Sequence, residues 1–172
     1  YKRQVVDGNG SSDSEDITLT VNSVNDATTL SSVGDQSTDE DTDLTISVSS
    51  SDIDLEFYGE QHTFTLECDD ASLVSTSCVS TGSNTADCTF DVQDEQNGVV
   101  DCTVLVDDSN GSTDSESIVF TVNAVNDAPI LITDQDDITI LEDNDLTISV
   151  SASDVDIAEN GQSLTFSLEC SG

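Results

Sequence analysis

The sequence predicts an all-β protein built from tandem antiparallel β-sandwich domains, one complete and two partial. Three observations carry this. Apolar and polar residues alternate with period two over many short runs, turn-forming residues separate the runs at regular intervals, and whole motifs recur about a hundred residues further along. Period-two alternation turns one face of a strand toward a core and the other toward water. Nothing in the chain has the 3.6-residue spacing of an amphipathic helix.

The elements follow in order. Strand A is expected at about 29–33 and strand B at 43–49, where Leu44, Ile46 and Val48 alternate with Thr45, Ser47 and Ser49. Strand C (62–68) alternates Phe64, Leu66 and Cys68 with Thr63, Thr65 and Glu67. Strand D takes 72–78, strand E (86–92) carries Cys88, Phe90 and Val92, and strand F (99–107) carries Val100, Cys102, Val104 and Val106. Strand G (115–124) carries Ile118, Phe120 and Val122. Thr, Val and Ile, which fit a pleated surface, dominate these runs. Gly59, Gly82-Ser83-Asn84, Asn97-Gly98 and Ser109-Asn110-Gly111 mark the turns between them. Seven short strands in about 100 residues is the pattern of a β-sandwich.

The repeat sets the domain boundaries. VNSVNDA at 21–27 returns as VNAVNDA at 122–128, an offset of 101 (122 − 21). DLTISV at 43–48 returns at 145–150, and FTLEC at 64–68 returns as FSLEC at 166–170, each an offset of 102 (145 − 43 and 166 − 64). One residue is therefore inserted in the later copy. The boundaries are 1–26 for the end of one unit (strands F and G), 27–127 for a complete unit, and 128–172 for the start of the next (strands A to C). Both ends fall inside a unit, so the expectation is a window onto a longer tandem array.

Composition excludes several functions. There are 37 acidic residues against 2 basic ones, a formal net charge of −35, and no Lys or Arg beyond Arg3. Such a chain offers no cationic surface to a phosphate backbone, so a nucleic-acid partner is not expected. No apolar run approaches the ~20 residues of a membrane helix, so no membrane insertion is expected in this segment. Hydrophobic residues make up 34% and aromatic residues 4%, which leaves a thin core.

The run DCTVLVDDSNGSTDSESIVFTVNAVNDAP (101–129) resembles the end of a bacterial-type cadherin-like repeat, the VNDAP-type unit of large surface proteins. Such repeats continue with an EDT-LTI-V strand and an SDxD segment. Their counterparts are Glu40-Asp41-Thr42, Leu44–Val48 and Ser51-Asp52-Ile53-Asp54, and again Glu142-Asp143, Leu146–Val150 and Ser153-Asp154-Val155-Asp156. The resemblance implies a cadherin- or immunoglobulin-like sandwich, an extracellular location, calcium at domain junctions, and a part in adhesion or surface architecture without catalysis. Four cysteines in the complete unit depart from that pattern and fit a secreted protein.

Calcium takes six to eight oxygen ligands from carboxylates and carbonyls. The acidic clusters recur at equivalent positions of the repeat. In cadherins, which this chain resembles, a linker Asn/Asp pair shares ions with a D-x-D of the next domain. By that analogy Asn25, Asp26, Asp52 and Asp54 form one site, and Asn126, Asp127, Asp154 and Asp156 another. Glu40 and Glu142, just before strand B, and Asp107, at the end of strand F, are further candidate ligands. The EF-hand spacing is missing.

Cys68, Cys78, Cys88 and Cys102 allow three pairings. Neighbouring antiparallel strands C and F favour Cys68–Cys102, and a D–E hairpin favours Cys78–Cys88. Cys170 is the counterpart of Cys68. With no CxxC and one His, the cysteines do not read as a zinc site. Asn9-Gly10-Ser11 and Asn110-Gly111-Ser112 are equivalent glycosylation sequons in a predicted F–G turn. The single His, His62, is expected at the rim of strand C; a Ser–His–Asp arrangement around it has no nucleophile motif to support it, and the chain is not expected to be an enzyme. The function expected is a structural module of a long extracellular fibre, stalk or filament, touching neighbouring repeats or identical chains. The alternative is an adhesin repeat that binds a protein or glycan.

Overall fold

A computed structural model describes residues 1–55, 59–132, 138–157 and 161–169. Residues 29–123 form the two-layer sandwich. One sheet has the order β4 (Gln36–Asp39), β10 (Thr113–Asn123), β9 (Gly98–Asp107), β6 (Thr63–Cys68). The other has the order β3 (Thr29–Leu30), β5 (Leu44–Ser51), β8 (Thr85–Val92), β7 (Val74–Ser80). All pairings are antiparallel except β4 with β10.

The core lies between the sheets and follows the alternation. Val100, Cys102, Val104 and Val106 of β9 are buried, as are Ile118, Phe120 and Val122 of β10 and Ala86, Cys88, Phe90 and Val92 of β8. Phe90 and Phe120 are completely buried and stack across the layers, with ring centroids 4.1 Å apart at 10°. Offset aromatic stacking adds to the gain from burying both rings.

Strand A differs from its expected form. Instead of one strand over 29–33, the chain crosses between sheets: β3 pairs antiparallel with β5, and β4 pairs parallel with β10. The crossing is made at Gly34, whose φ of 70° suits a residue without Cβ. Glu116 of β10 holds it from the side, accepting the N–H groups of Val33 (2.7 Å) and Gly34 (3.0 Å). Strand D starts later than expected, at Val74, because Asp70 caps a turn before it through the N–H and hydroxyl of Ser72.

Two disulfides join Cys68 to Cys102 and Cys78 to Cys88. Each links residues directly opposite in adjacent strands, Cys68 on β6 to Cys102 on β9 and Cys78 on β7 to Cys88 on β8. The bonds therefore lie within the sheets and each fastens an edge strand to its neighbour. Cys170 lies outside the described residues.

The flanking segments reproduce pieces of this scheme. The hairpin β1 (Lys2–Val6) with β2 (Ser12–Asp16) pairs Lys2 with Asp16, as β9 and β10 pair Thr103 with Ser117 one repeat later. β11 (Ile130–Ile132) with β12 (Ser151–Ser153) pairs Leu131 with Ala152, as β3 and β5 pair Leu30 with Ser50. Strands at the counterparts of B and C were expected within 128–172; among the described residues of that region only β11 and β12 form. In the sandwich β5 pairs with β8 and β6 with β9, and the positions that would match β8 and β9 in the following unit fall past residue 172.

Candidate metal centres at the ends of the sandwich

The end where the chain leaves the sandwich gathers acid from four segments. Glu40 follows β4, Glu95 sits in the β8–β9 loop, Asp127 lies in the connection after β10, and Asp156 follows β12. Glu40 is 5% exposed. Its carboxylate accepts the Val125 N–H and the side-chain amide of Asn97, and its own N–H donates to the Asn123 carbonyl (2.9 Å). Asp127 donates its N–H to Oδ2 of Asp156 (2.7 Å), and Asp156 donates its N–H to Oδ1 of Asp154 (3.0 Å). One oxygen from each of Glu40, Asp127 and Asp156 lies within 4.8 Å of the others. The same holds for Asp41, Glu95 and Asp127, so Asp127 belongs to both groups.

The electrostatics are one-sided. Burial, then the negative charges of Asp127 and Asp41, push the Glu95 carboxyl above its ordinary range, and Glu40 adds to this. No Lys or Arg follows Arg3, and Arg3 pairs with Glu15 at 2.7 Å on the exposed first hairpin. The repulsion is unrelieved by any basic side chain of this region.

The opposite end, where the chain enters the sandwich, is built around Asp108. This residue is 1% exposed. It accepts the side-chain amide of Asn25 (2.8 Å) and the N–H groups of Asn110 (2.8 Å) and Ser112 (2.9 Å). Burial works against its charged form, but these hydrogen bonds win and its carboxyl is held at about 2. Asp26 donates its N–H to Oδ2 of Asp54 (2.8 Å), and Asp54 donates to Oδ1 of Asp52 (2.8 Å). This is the arrangement that Asp127, Asp156 and Asp154 make at the other end.

The expected ligands fall into distinct places. Glu40, Asp127 and Asp156 converge, and Asp154 supports Asp156. Asn126 is tied differently, its amide oxygen accepting from Gln162 (2.8 Å). Asn25 donates to Asp108, Asp26 donates to Asp54, and Asp52, which accepts the Asp54 N–H, also lies beside Glu60 and His62. Asp107 does not reach the linker: it caps its own turn by accepting the Ser109 N–H (2.6 Å), and Asp108 takes the linker contact. Inward parity along β9 runs 100, 102, 104, 106 and on to 108, so Asp107 points out. Glu142 is exposed and belongs neither to the two carboxylate groups nor to the cluster of Asp52, Glu60 and His62. Glu95 and Glu60 escape sequence reasoning because both sit in loops whose position depends on the sheets. The sequons Asn9 and Asn110 are exposed at equivalent turns, each turn closed by an aspartate, Asp7 or Asp108.

His62 is not on the rim. It is 2% exposed, with Nδ1 at 2.6 Å from the Ser50 hydroxyl. Ser50 is itself buried and within 3.5 Å of the Asn84 carbonyl, so its hydroxyl is not presented to a substrate.

No family model and no curated protein matches the chain. Among solved structures it is similar to domains 4 and 5 of the S-layer protein SbsC, with a TM-score of 0.43 and 16% identity over 70% of this chain and 56% of that one. It is also similar to an endo-fucoidan hydrolase of glycoside hydrolase family 107 (TM-score 0.44, 17% identity, 61% of this chain and 15% of that one). A third likeness is to the sialic acid binding region of a Streptococcus sanguinis SK1 adhesin (TM-score 0.41, 11% identity, 74% of this chain and 40% of that one). The chain thus spans little more than half of the first of these structures and less of the others. Among the described residues no helix is long and apolar enough to cross a membrane.

Proposed function

We propose that this chain is a structural module of a long extracellular tandem-repeat protein that forms a fibre, stalk or surface filament, with calcium stiffening the junction between successive sandwiches. The observation that carries this reading is the convergence of Glu40, Asp41, Glu95, Asp127 and Asp156 from four separate segments onto one junction. Oxygen-only donor sets of high negative charge suit calcium. Glu40, Asp127 and Asp156 would hold one ion and Asp41, Glu95 and Asp127 a second, with Asp127 shared.

Among the described residues, the bonds of Asp127 to Asp156 and of Gln162 to Asn126 join the linker to the next unit. An ion held from both sides replaces like-charge repulsion with attraction and restricts the hinge. It also offsets part of the self-repulsion of a −35 chain. Asn25, Asp26 and Asp54 would serve the preceding junction in the same way. Disulfides support an oxidising exterior, and Asn9 and Asn110 are exposed for glycans. Successive units, or identical chains, would be its neighbours.

The test is a thermal melt of residues 1–172 under oxidising conditions, with calcium and with a chelator. A calcium-dependent rise in melting temperature that is lost in Asp127→Asn supports the reading. Equal melting in both conditions overturns the calcium part.

A further inference from the structure

We propose that Asp52, Glu60 and His62 form a zinc-class transition-metal site, separate from the oxygen-only junction sites. One ligand atom from each lies within 4.8 Å of the others. Acidic residues in a cluster are common on this protein; what marks this group is the imidazole and its unmet bonding. Oδ2 of Asp52, Oε2 of Glu60 and Nε2 of His62 are all buried and have no hydrogen-bond partner. The His62 side chain is 0% exposed and that of Glu60 7%, and Nε2 stands 4.0 Å from Oε2. Three unsatisfied polar atoms buried against one another are costly unless something sits between them.

The surroundings fix which way the ring faces. Ser50 can donate its hydroxyl to the Asn84 carbonyl (3.5 Å) and accept from Nδ1 of His62 (2.6 Å). Thr28 lies on the same nitrogen at 3.4 Å. A proton on Nδ1 leaves the Nε2 lone pair pointing at two carboxylates, where it repels them. A cation removes the repulsion, and a ligating imidazole with its other N–H held by the protein is the usual outer-shell arrangement of a metal site. The other oxygens are held too: Glu60 Oε1 accepts from the Asn110 amide and Asp52 Oδ1 from the Asp54 N–H (2.8 Å).

The donor set selects the ion. Calcium and magnesium prefer oxygen, whereas imidazole nitrogen suits zinc and its transition-metal neighbours. One nitrogen and two carboxylate oxygens at about 2.0–2.2 Å leave a fourth tetrahedral position for water. Of the three ligands, Glu60 lines a surface depression of about 330 Å³ that it shares with Asp54, Asn25 and Asn110. The following unit lacks the set: Glu60 becomes Gln162 and His62 becomes Leu164 (each plus 102), and Gln162 hydrogen-bonds to Asn126. The proposal stands apart from the calcium reading.

The chain has one His, so its ring signals in a nitrogen–proton correlation spectrum need no assignment. The oxidised 172-residue chain, held in millimolar calcium, is titrated with zinc chloride. The expected result is a shift of Nε2 to the metal-bound range at one equivalent, with Nδ1 keeping its proton. Glu60→Gln, which keeps the shape and the Asn110 contact, should weaken zinc binding at least about tenfold, since losing outer-shell partners alone costs 10–100-fold. Its backbone spectrum reports that the fold is intact, so the test does not depend on His62→Gln surviving. An unmoved ring at saturating zinc overturns the proposal, as does a Glu60→Gln variant that binds zinc as the native chain does. A zinc shift that appears only after the calcium is removed overturns it as well.

Discussion

The backbone N–H of Asp127 donates to Oδ2 of Asp156 at 2.7 Å, and this one bond connects the linker to the D-x-D turn of the next unit. The bond uses the carboxylate's charge as well as its shape. Asp156→Asn keeps an acceptor for the N–H but removes the charge next to Glu40 and Asp127. Calcium affinity, measured by titration calorimetry, should fall by about tenfold, equivalent to about 1.4 kcal/mol. Without calcium the variant should melt no lower than the native chain. Asp156→Ala should lose affinity and also the linker contact.

The pH dependence separates two carboxylates of opposite sign. Asp108 is held at about 2, below its ordinary value, so its stabilising effect is complete above the unfolded value and is lost as pH falls toward 2. Asp108→Asn should destabilise by about 1–3 kcal/mol at neutral pH, the cost of disturbing a buried charge-assisted network, and should flatten the acid limb between about pH 4 and pH 2. Glu95 is raised, so it favours the fold below its unfolded value and loses that effect as pH rises through its folded one. Glu95→Gln should therefore raise the calcium-free melting temperature at neutral pH and leave it unchanged in acid. Melts across pH 2 to 8 in chelator check both.

The disulfides should be unequal. Cys68–Cys102 spans 34 residues of sequence and Cys78–Cys88 spans 10. Loop-closure entropy assigns about 4 kcal/mol to the first and about 3 kcal/mol to the second. The double variant Cys68→Ala with Cys102→Ala should thus lose about 1 kcal/mol more in urea unfolding than Cys78→Ala with Cys88→Ala. Together the two bonds approach the whole stability of an ordinary domain, about 5–15 kcal/mol. Full reduction should bring the sandwich close to unfolding.

Strand alternation was legible because it is local: each buried position of β8, β9 and β10 is two residues from the next. Carried one step past Val106, the same parity reaches Asp108 rather than Asp107, so the residue that holds Asn25 was within reach of the sequence. The strand A crossing was not. Residues 31–37 are mostly small and polar, and their partners, Glu116 and Val119, lie more than 80 residues away. The recurrence of motifs pointed to Glu40, Asp127 and Asp156, because each has a counterpart one repeat away. Glu95 and Glu60 join the clusters only through tertiary placement of loops, and the buried His62 meets Thr28 and Ser50 at Nδ1 only through the fold.

Glu116 gives the last test, of the crossing itself. Its carboxylate accepts the N–H groups of Val33 and Gly34 and the hydroxyl of Ser32, and these bonds hold it below the ordinary carboxylate range. They are the main side-chain tie on the segment between β3 and β4, with Asp35 accepting the Val119 N–H (2.8 Å) as the return contact. Glu116→Ala frees two N–H donors at the point where the chain changes sheets. Because β3 and β4 are short edge strands, the loss should be local: amide exchange at Val33 and Gly34 should speed up by about tenfold or more, the equivalent of one charge-assisted hydrogen bond, while Leu30, whose N–H donates to Asp114, should change less. Exchange at Val104 and Phe120, in the buried centre of the first sheet, should not change. Uniform acceleration across both sets would mean that the crossing is part of the cooperative core rather than an edge tied on locally by Glu116.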